Sequence, residues 1–333
     1  MPDPLLYLKS MVDAAIASVI VVLVIFGLRQ WALRKWRKTP SQGVFIIHLA
    51  CILGISAGLA VGYATLSLEL AWPPTNALGR LLIVVLPVTL VIELISGIPC
   101  VPRYVTWLLR ILLALMIPPV LLYGSVYLSD SSDWNAIQTV VTPGACGMLL
   151  AGVWGLLLRL ASRSPGLSIP SSVCLALLCT AATVMMAGYL KGGASALPLV
   201  STLMATMIAM LLATRRLRKR RQDFTPSHLD SHGILGIGVV GLFGLLFIGR
   251  FFGEISNSDA LIILFAPLFG WVTETRLLRN QKPWVVACLG LTFVSIPLVV
   301  VLVLAKRNFD REMAPLLVGK GAAAEVSVVV VER

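Results

Sequence analysis

The chain has 333 residues, of which 58% are hydrophobic and 13% are charged, and its formal net charge is +12. Soluble domains carry about 25% charged residues, so this chain lacks the polar side chains needed to cover a water-facing surface. Its basic residues lie at the ends of apolar runs rather than on a basic domain, which argues against nucleic acid as a partner. The composition predicts an all-α, polytopic integral membrane helix bundle, with the lipid bilayer as its main partner.

Apolar runs long enough to cross a hydrocarbon layer of about 30 Å recur along the whole chain. We predict about ten transmembrane spans, at about residues 11–33, 44–68, 80–98, 104–128, 137–160, 168–190, 194–214, 233–253, 259–275 and 283–305. Residues 1–305 then form a single transmembrane domain, and 306–333 form a non-membrane C-terminal tail. The tail ends in a β-branched run at 325–333, a lone strand for which the sequence offers no partner.

Basic residues are distributed unevenly between the two sets of predicted loops. One set holds 18 of the 27 lysines and arginines, whereas most acidic residues lie on the opposite side. Because positively charged loops stay in the cytoplasm, this bias places both termini outside and predicts a multi-pass protein of the cell membrane. The chain has no Asn-x-Ser/Thr glycosylation sequence, which fits the inner membrane of a bacterium.

A dense basic run follows the seventh span and opens a cytoplasmic loop. It consists of Arg215, Arg216, Arg218, Lys219, Arg220 and Arg221. Such a cluster is attracted to anionic lipid headgroups, although a signal that only fixes topology explains it better.

Spans one to four resemble spans seven to ten at an offset of about 180 residues. In both sets the first span is followed by a basic run and Thr-Pro-Ser, at residues 39–41 and 225–227. The third span of each set carries a proline near its middle, Pro87 or Pro267. An offset of six spans preserves orientation, so we predict a 4+2+4 arrangement with a parallel internal repeat about an axis normal to the membrane. Chance similarity of apolar helices is the alternative.

Residues 54–58 read Gly-Ile-Ser-Ala-Gly and match the Gly-x-Ser-x-Gly pattern of serine hydrolases. The pattern lies inside a span, where Ala50, Gly54, Gly58 and Gly62 recur every four residues. That spacing is typical of a small-residue ridge for close helix packing, and we prefer this interpretation.

Two histidines four residues apart, His228 and His232, would share one face of a helix, as a metal site requires. The residue after His228 is Leu229, so the His-Glu-x-x-His pattern is absent, and Pro226 just before the pair favours a loop. The six cysteines include no Cys-x-x-Cys pair and fit small buried side chains. We therefore predict no catalytic, cofactor-binding or metal-binding residues, and no cofactor.

Four charged residues in or near the spans are the candidate buried charges: Glu93, Arg110, Glu69 and Arg80. A glutamate alone in hydrocarbon costs several kcal/mol unless a cation faces it. Spans three and four form an antiparallel hairpin, and Glu93 and Arg110 each lie about eight to nine residues from its centre. They should therefore pair at equal depth near the cytoplasmic edge. The same reasoning pairs Glu69 with Arg80 at the outer edge, so that two ion pairs fasten span three; a substrate site is the alternative.

Many spans, short loops and matching prolines favour a small permease or transporter-like protein. Few polar groups lie at hydrocarbon depth, so an apolar or lipid-like solute fits better than a charged one. A non-catalytic membrane component that assembles with a membrane-protein partner is the alternative. A membrane-embedded enzyme ranks third, because the sequence offers no carboxylate pair, metal site or nucleophile–base set.

Overall fold

The computed structural model describes residues 4–35, 41–68, 72–125, 127, 135–163, 168–220, 232–274 and 283–331. Within these residues the regular structure is helical, without strands. The α-helices are α1 Pro4–Lys35, α2 Ser41–Thr65, α3 Ala77–Arg80, α4 Leu86–Ser96, α5 Arg103–Leu122, α6 Ala136–Arg163, α7 Ser168–Met186, α8 Leu190–Arg220, α9 His232–Phe251, α10 Asn257–Phe265 and α11 Pro283–Val331. A π-helical segment, Leu81–Val85, joins α3 to α4, and a 3₁₀ helix, Ala266–Glu274, follows α10.

Nine helical segments of the described chain are long and apolar enough to cross a membrane. They coincide with nine of the ten predicted spans and confirm the all-α, polytopic membrane bundle. The exception is the predicted span 259–275, where α10 ends after nine residues and the 3₁₀ helix takes its place. Pro267 lies at this change, and proline has no N–H with which to continue α-helical hydrogen bonding.

Both ends of the chain are helical over a longer stretch than the sequence indicated. α1 begins at Pro4 rather than near residue 11, so residues 4–10 belong to the same helix as the predicted first span. α11 continues to Val331, so the expected lone strand at 325–333 is wrong over its described part. A helix satisfies its backbone donors and acceptors within one segment, whereas a strand needs a partner.

α9 is the central helix of the bundle. Its apolar stretch is 89% buried, whereas the apolar stretches of α1 and α11 are 22% buried and face lipid. α9 packs against α2, α4, α5, α6, α7, α8 and α10. Along it the side chains of Val239, Val240, Leu242, Phe243, Leu245 and Leu246 are buried. The core is thus an apolar helix enclosed by other helices.

The small-residue ridge of α2 packs against α1 and α8. A Cβ atom on Gly54 would lie 2.6 Å from Val22 of α1. One on Gly58 would lie 2.6 Å from Thr202 of α8. The Ser56 hydroxyl donates to a carbonyl of its own helix at 2.8 Å. The glycines therefore permit close approach of three helices, and Ser56 lies within a helix rather than on the strand-to-helix turn of a serine hydrolase.

The proposed repeat relates α1 and α2 to α8 and α9. α2 contacts α8, and a two-fold axis would add an equivalent contact between α1 and α9, but that pair is not closely packed in the part of the chain that is described. Pro87 and Pro267 both lie near a change of helix type, but the changes differ: a π segment precedes Pro87, whereas Pro267 lies at the start of a 3₁₀ helix. Helix type and packing therefore both differ between the two sets at these points, and the superposition of the two sets stays a prediction.

Candidate functional site

Glu93 of α4 and Arg110 of α5 form a buried ion pair. Glu93 is fully buried, and Arg110 is 8% exposed. The Nε of Arg110 donates to Oε1 of Glu93 at 2.9 Å, and its Nη2 donates to Oε2 at 2.7 Å. The pair forms as the hairpin spacing predicts, because the antiparallel arms bring residues of equal depth together. Bidentate contact of this kind is the strong form of a carboxylate–guanidinium interaction.

Two further side chains surround Glu93. The Ser96 hydroxyl lies 2.7 Å from the Glu93 carbonyl and 3.2 Å from its Oε2. It also accepts a hydrogen bond from Nη2 of Arg110 at 3.3 Å. Nε2 of His48, on α2, lies 2.7 Å from the main-chain carbonyl of Glu93. Since a carbonyl only accepts hydrogen bonds, this ring nitrogen carries the hydrogen.

Two glycines make room for these side chains. A Cβ atom on Gly236 of α9 would lie 2.3 Å from Oε1 of Glu93. A Cβ atom on Gly97 would lie 1.9 Å from the His48 ring. Both distances are far below van der Waals contact, so a larger residue at either position would displace its neighbour. The absence of a side chain at Gly236 is what lets the central helix close over the carboxylate.

Arg110 has a second contact, with Trp154 of α6. The guanidinium carbon lies over the indole ring, 5.9 Å from its centroid, where cation–π attraction is favourable. Both oxygens of Glu93 accept hydrogen bonds from Arg110. The arrangement is suited to fastening α2, α4, α5, α6 and α9 together.

The second predicted pair, Glu69 with Arg80, stays a prediction because Glu69 lies outside the described residues. Arg80 donates to the main-chain carbonyls of Tyr123 and Thr75, the latter at 3.0 Å. Its guanidinium also lies 5.5 Å from the centroid of the Tyr123 ring. Arg80 therefore connects the start of span three to the residue that follows α5.

In the described ranges, no group of three His, Cys, Asp or Glu side chains is placed to hold a metal ion. His228 lies outside those ranges, and the side chain of His232 is also outside what is described. The same is true of the side chains in the basic run from Arg215 to Arg221. Their contact with anionic lipid stays a prediction.

Both charges of the pair are evident from the sequence, but the residues around them are not. Ser96 carried a signal, since it lies three residues after Glu93 and hence on the same helix face. His48, Trp154 and Gly236 come from other helices, and no spacing in the sequence links them to Glu93.

These observations describe a multi-pass membrane protein with a packed core and a buried ion pair. Comparison with known proteins returns no matching family model, no similar curated protein and no similar solved structure. Its function must therefore be inferred from its own residues.

Proposed function

We propose that this protein is a non-catalytic membrane component that acts by assembling with a membrane-protein partner. The packing of α9 is the observation that supports this most. Val240, Leu242 and Phe243 are buried at the middle of this helix. In a transporter built from two repeated units, the solute site lies near this depth between the units. Here the same region presents tightly packed apolar side chains.

The glycines of α9 extend this packing to its neighbours. A Cβ atom on Gly241 would lie 2.4 Å from Leu199 of α8. One on Gly244 would lie 2.4 Å from Leu81 of the π segment. Neighbouring side chains thus occupy the grooves that glycine leaves on α9. Opening a path along this helix would bring water against buried apolar surface, which is unfavourable, so the packing supports a fixed core.

The buried charges support the same proposal. Glu93 and Arg110 satisfy each other, and Gly236 of α9 lies directly against the carboxylate. A site that binds a solute directs a few polar groups into a pocket. In this cluster the hydrogen-bonding groups are directed toward neighbouring helices, as a structural fastening requires.

A permease for an apolar or lipid-like solute is the second candidate, and two irregular spans favour it. The π segment Leu81–Val85 precedes Pro87, and the 3₁₀ helix Ala266–Glu274 contains Pro267. π-helical turns are frequent at functional sites, and interrupted helices line the binding sites of many transporters. The two candidates differ in whether water reaches the middle of α9.

Cysteine accessibility in proteoliposomes distinguishes the two candidates. In a background from which the six native cysteines are removed, Val240→Cys places a thiol of similar size at the buried middle of α9. Ser258→Cys, at an exposed position in the first turn of α10, is the matched control. A small, charged methanethiosulfonate reagent is added on each side in turn, and intact mass spectrometry measures modification.

The assembly proposal predicts that the reagent modifies the cysteine at position 258. It predicts no modification at position 240, whichever side the reagent is added to. Modification at 240 from either side would demonstrate a hydrated path along α9. That result would overturn the assembly proposal and favour the permease.

We further propose that the protein lies in a bacterial inner membrane with both termini outside, α10 and the 3₁₀ helix together forming a tenth crossing. The bias of basic residues toward one set of loops supports this orientation. It places the Glu93–Arg110 pair toward the cytoplasm and the run that begins at Arg215 beside anionic lipid headgroups.

A further inference from the structure

A cleft of about 70 Å³ opens between α7, α10 and α11. Its lining comes from the C-terminal end of α7, the first turn of α10 with the residues before it, and a part of α11 around Ala305. Ala305 lies roughly 33 Å along α11 from Pro283, at 1.5 Å per residue. If α11 enters a hydrocarbon layer about 30 Å thick at Pro283, the cleft lies at the lipid–water boundary. In the proposed orientation this is the outer side.

The lining of the cleft contains both polar and apolar side chains. Glu254 and Asp259 contribute two carboxylates, while Met186 and Phe309 contribute a thioether and an aromatic ring. None of the lining residues is lysine, arginine or histidine. Among the described residues neither carboxylate forms an ion pair. The cleft therefore combines negative charge with an apolar surface.

Other ligand classes fit this lining poorly. An anion would face two carboxylates. Calcium and magnesium take six or more oxygen ligands, and no metal-binding set of three acidic, His or Cys side chains is present within the described ranges. An organic ammonium group is attracted by the carboxylates through charge and by the Phe309 ring through its π face. An apolar body attached to that group would pack against Met186.

We propose that this cleft binds an organic ammonium ion with an apolar body, the ammonium lying between Glu254 and Asp259 and the body against Met186 and Phe309. The site is independent of the assembly function, since a scaffold and a permease could each carry it. Two sources share this chemistry: the ethanolamine headgroup of a phospholipid and a soluble amphiphilic amine.

Hexylammonium chloride is the soluble probe, and hexanol is the matched ligand without a charge. The full-length protein in dodecyl maltoside is titrated with each by calorimetry, with empty micelles as the blank. The double variant Glu254→Gln/Asp259→Asn removes both negative charges with little change of shape. Asp310→Asn is the matched control, because Asp310 is exposed on α11 next to Phe309 but does not line the cleft. Thermal melting checks that all variants fold.

Wild type and Asp310→Asn should bind hexylammonium saturably. Both should bind hexanol at least about tenfold more weakly than hexylammonium. The double variant should lose about tenfold in affinity for hexylammonium. The comparison of the two ligands on the wild type tests the site even if the double variant folds poorly.

Native mass spectrometry with equal amounts of phosphatidylethanolamine and phosphatidylglycerol distinguishes the two sources. Preferential retention of phosphatidylethanolamine, lost in the double variant, identifies the lipid headgroup. Hexylammonium binding without this preference identifies a soluble amine. The proposal is overturned if neither hexylammonium nor phosphatidylethanolamine binds in a way that depends on the two carboxylates.

Discussion

Replacing Glu93 by glutamine removes one charge of the buried pair and preserves the shape of the side chain. In the wild type both carboxylate oxygens accept hydrogen bonds from Arg110, at 2.9 and 2.7 Å. The glutamine amide keeps one acceptor but turns a donor toward the guanidinium, and Arg110 stays buried without a counter-charge. Removing one partner of a buried pair costs about 3–5 kcal/mol. Since one hydrogen bond survives, we expect the free energy of unfolding to fall by about 3 kcal/mol.

The partner variants show whether the two charges act together. Arg110→Met leaves Glu93 buried without a cation and should cost about 3–5 kcal/mol. The double variant Glu93→Gln/Arg110→Met removes both charges and should cost less than about 2 kcal/mol, well below the sum of the single effects. Exchanging the two charges (Glu93→Arg with Arg110→Glu) should restore less stability than the uncharged double variant. The longer arginine side chain at position 93 would collide with α9 at Gly236.

Thermal unfolding in dodecyl maltoside, followed with a thiol-reactive fluorophore, measures these differences. Cys51, Cys174 and Cys179 are buried and become reactive on unfolding. For a chain of 333 residues, a loss of about 3 kcal/mol corresponds to a fall in Tm of roughly 4 °C. The control is Arg103→Met, which removes an exposed arginine from the same helix and should leave Tm within about 1 °C.

Equal Tm values for wild type and Glu93→Gln would show that the pair does not stabilise the fold. A double variant whose loss of stability equals the sum of the two single losses would show that the two charges act independently. If Glu93→Gln melted normally yet abolished an activity, Glu93 would be a site residue rather than a fastening.

Two further predictions concern the central helix and the orientation. Gly236→Ala should destabilise the protein by about 1–3 kcal/mol, because the new methyl group would displace the Glu93 carboxylate; Gly152→Ala, where a Cβ meets open space, should be neutral or slightly stabilising in the same melting assay. A cysteine at position 130, in place of Asp130, should react with an impermeant thiol reagent in intact cells, whereas one in place of Arg218 should not. Reaction at 218 but not at 130 would reverse the orientation.

The ion pair could be predicted from sequence because its two residues belong to one hairpin. In an antiparallel pair of spans, equal distance from the turn means equal depth, so Glu93 and Arg110 needed no further information. His48 lies 45 residues from its partner carbonyl, and Gly236 comes from a helix near the other end of the chain. Their placement depends on how the helices pack, which residue spacing does not encode.

The central position of α9 could not be predicted. α2 and α9 are both rich in glycine and have equal mean hydropathy, yet 89% of the apolar stretch of α9 is buried, against 50% for α2. Lipid tails and a protein core are equally apolar, so hydrophobicity alone does not distinguish a lipid-facing helix from an enclosed one. What distinguishes them is complementary shape, as where Leu199 fills the groove at Gly241.

The irregular ninth span shows a related limit. Its hydropathy predicts a membrane helix, but the α-helix ends at Phe265, just before Pro267. Pro118 and Pro119 lie within α5, which continues to Leu122. Proline in a membrane helix is tolerated where neighbouring groups satisfy the freed carbonyls, so its presence alone does not predict where a helix will change type.

Hydrogen–deuterium exchange in lipid nanodiscs tests most directly whether α9 is a dry, packed core. It uses the unmodified protein and reports on the backbone amides of residues 239–246, whose side chains pack at the centre of the bundle. Amides that are hydrogen-bonded and shielded from water exchange only when the local structure opens. We predict that a peptide covering 239–246 retains its amide hydrogens for hours. Exchange of that peptide within minutes would show that water reaches the centre of α9 and would contradict the packed core on which the proposed function depends.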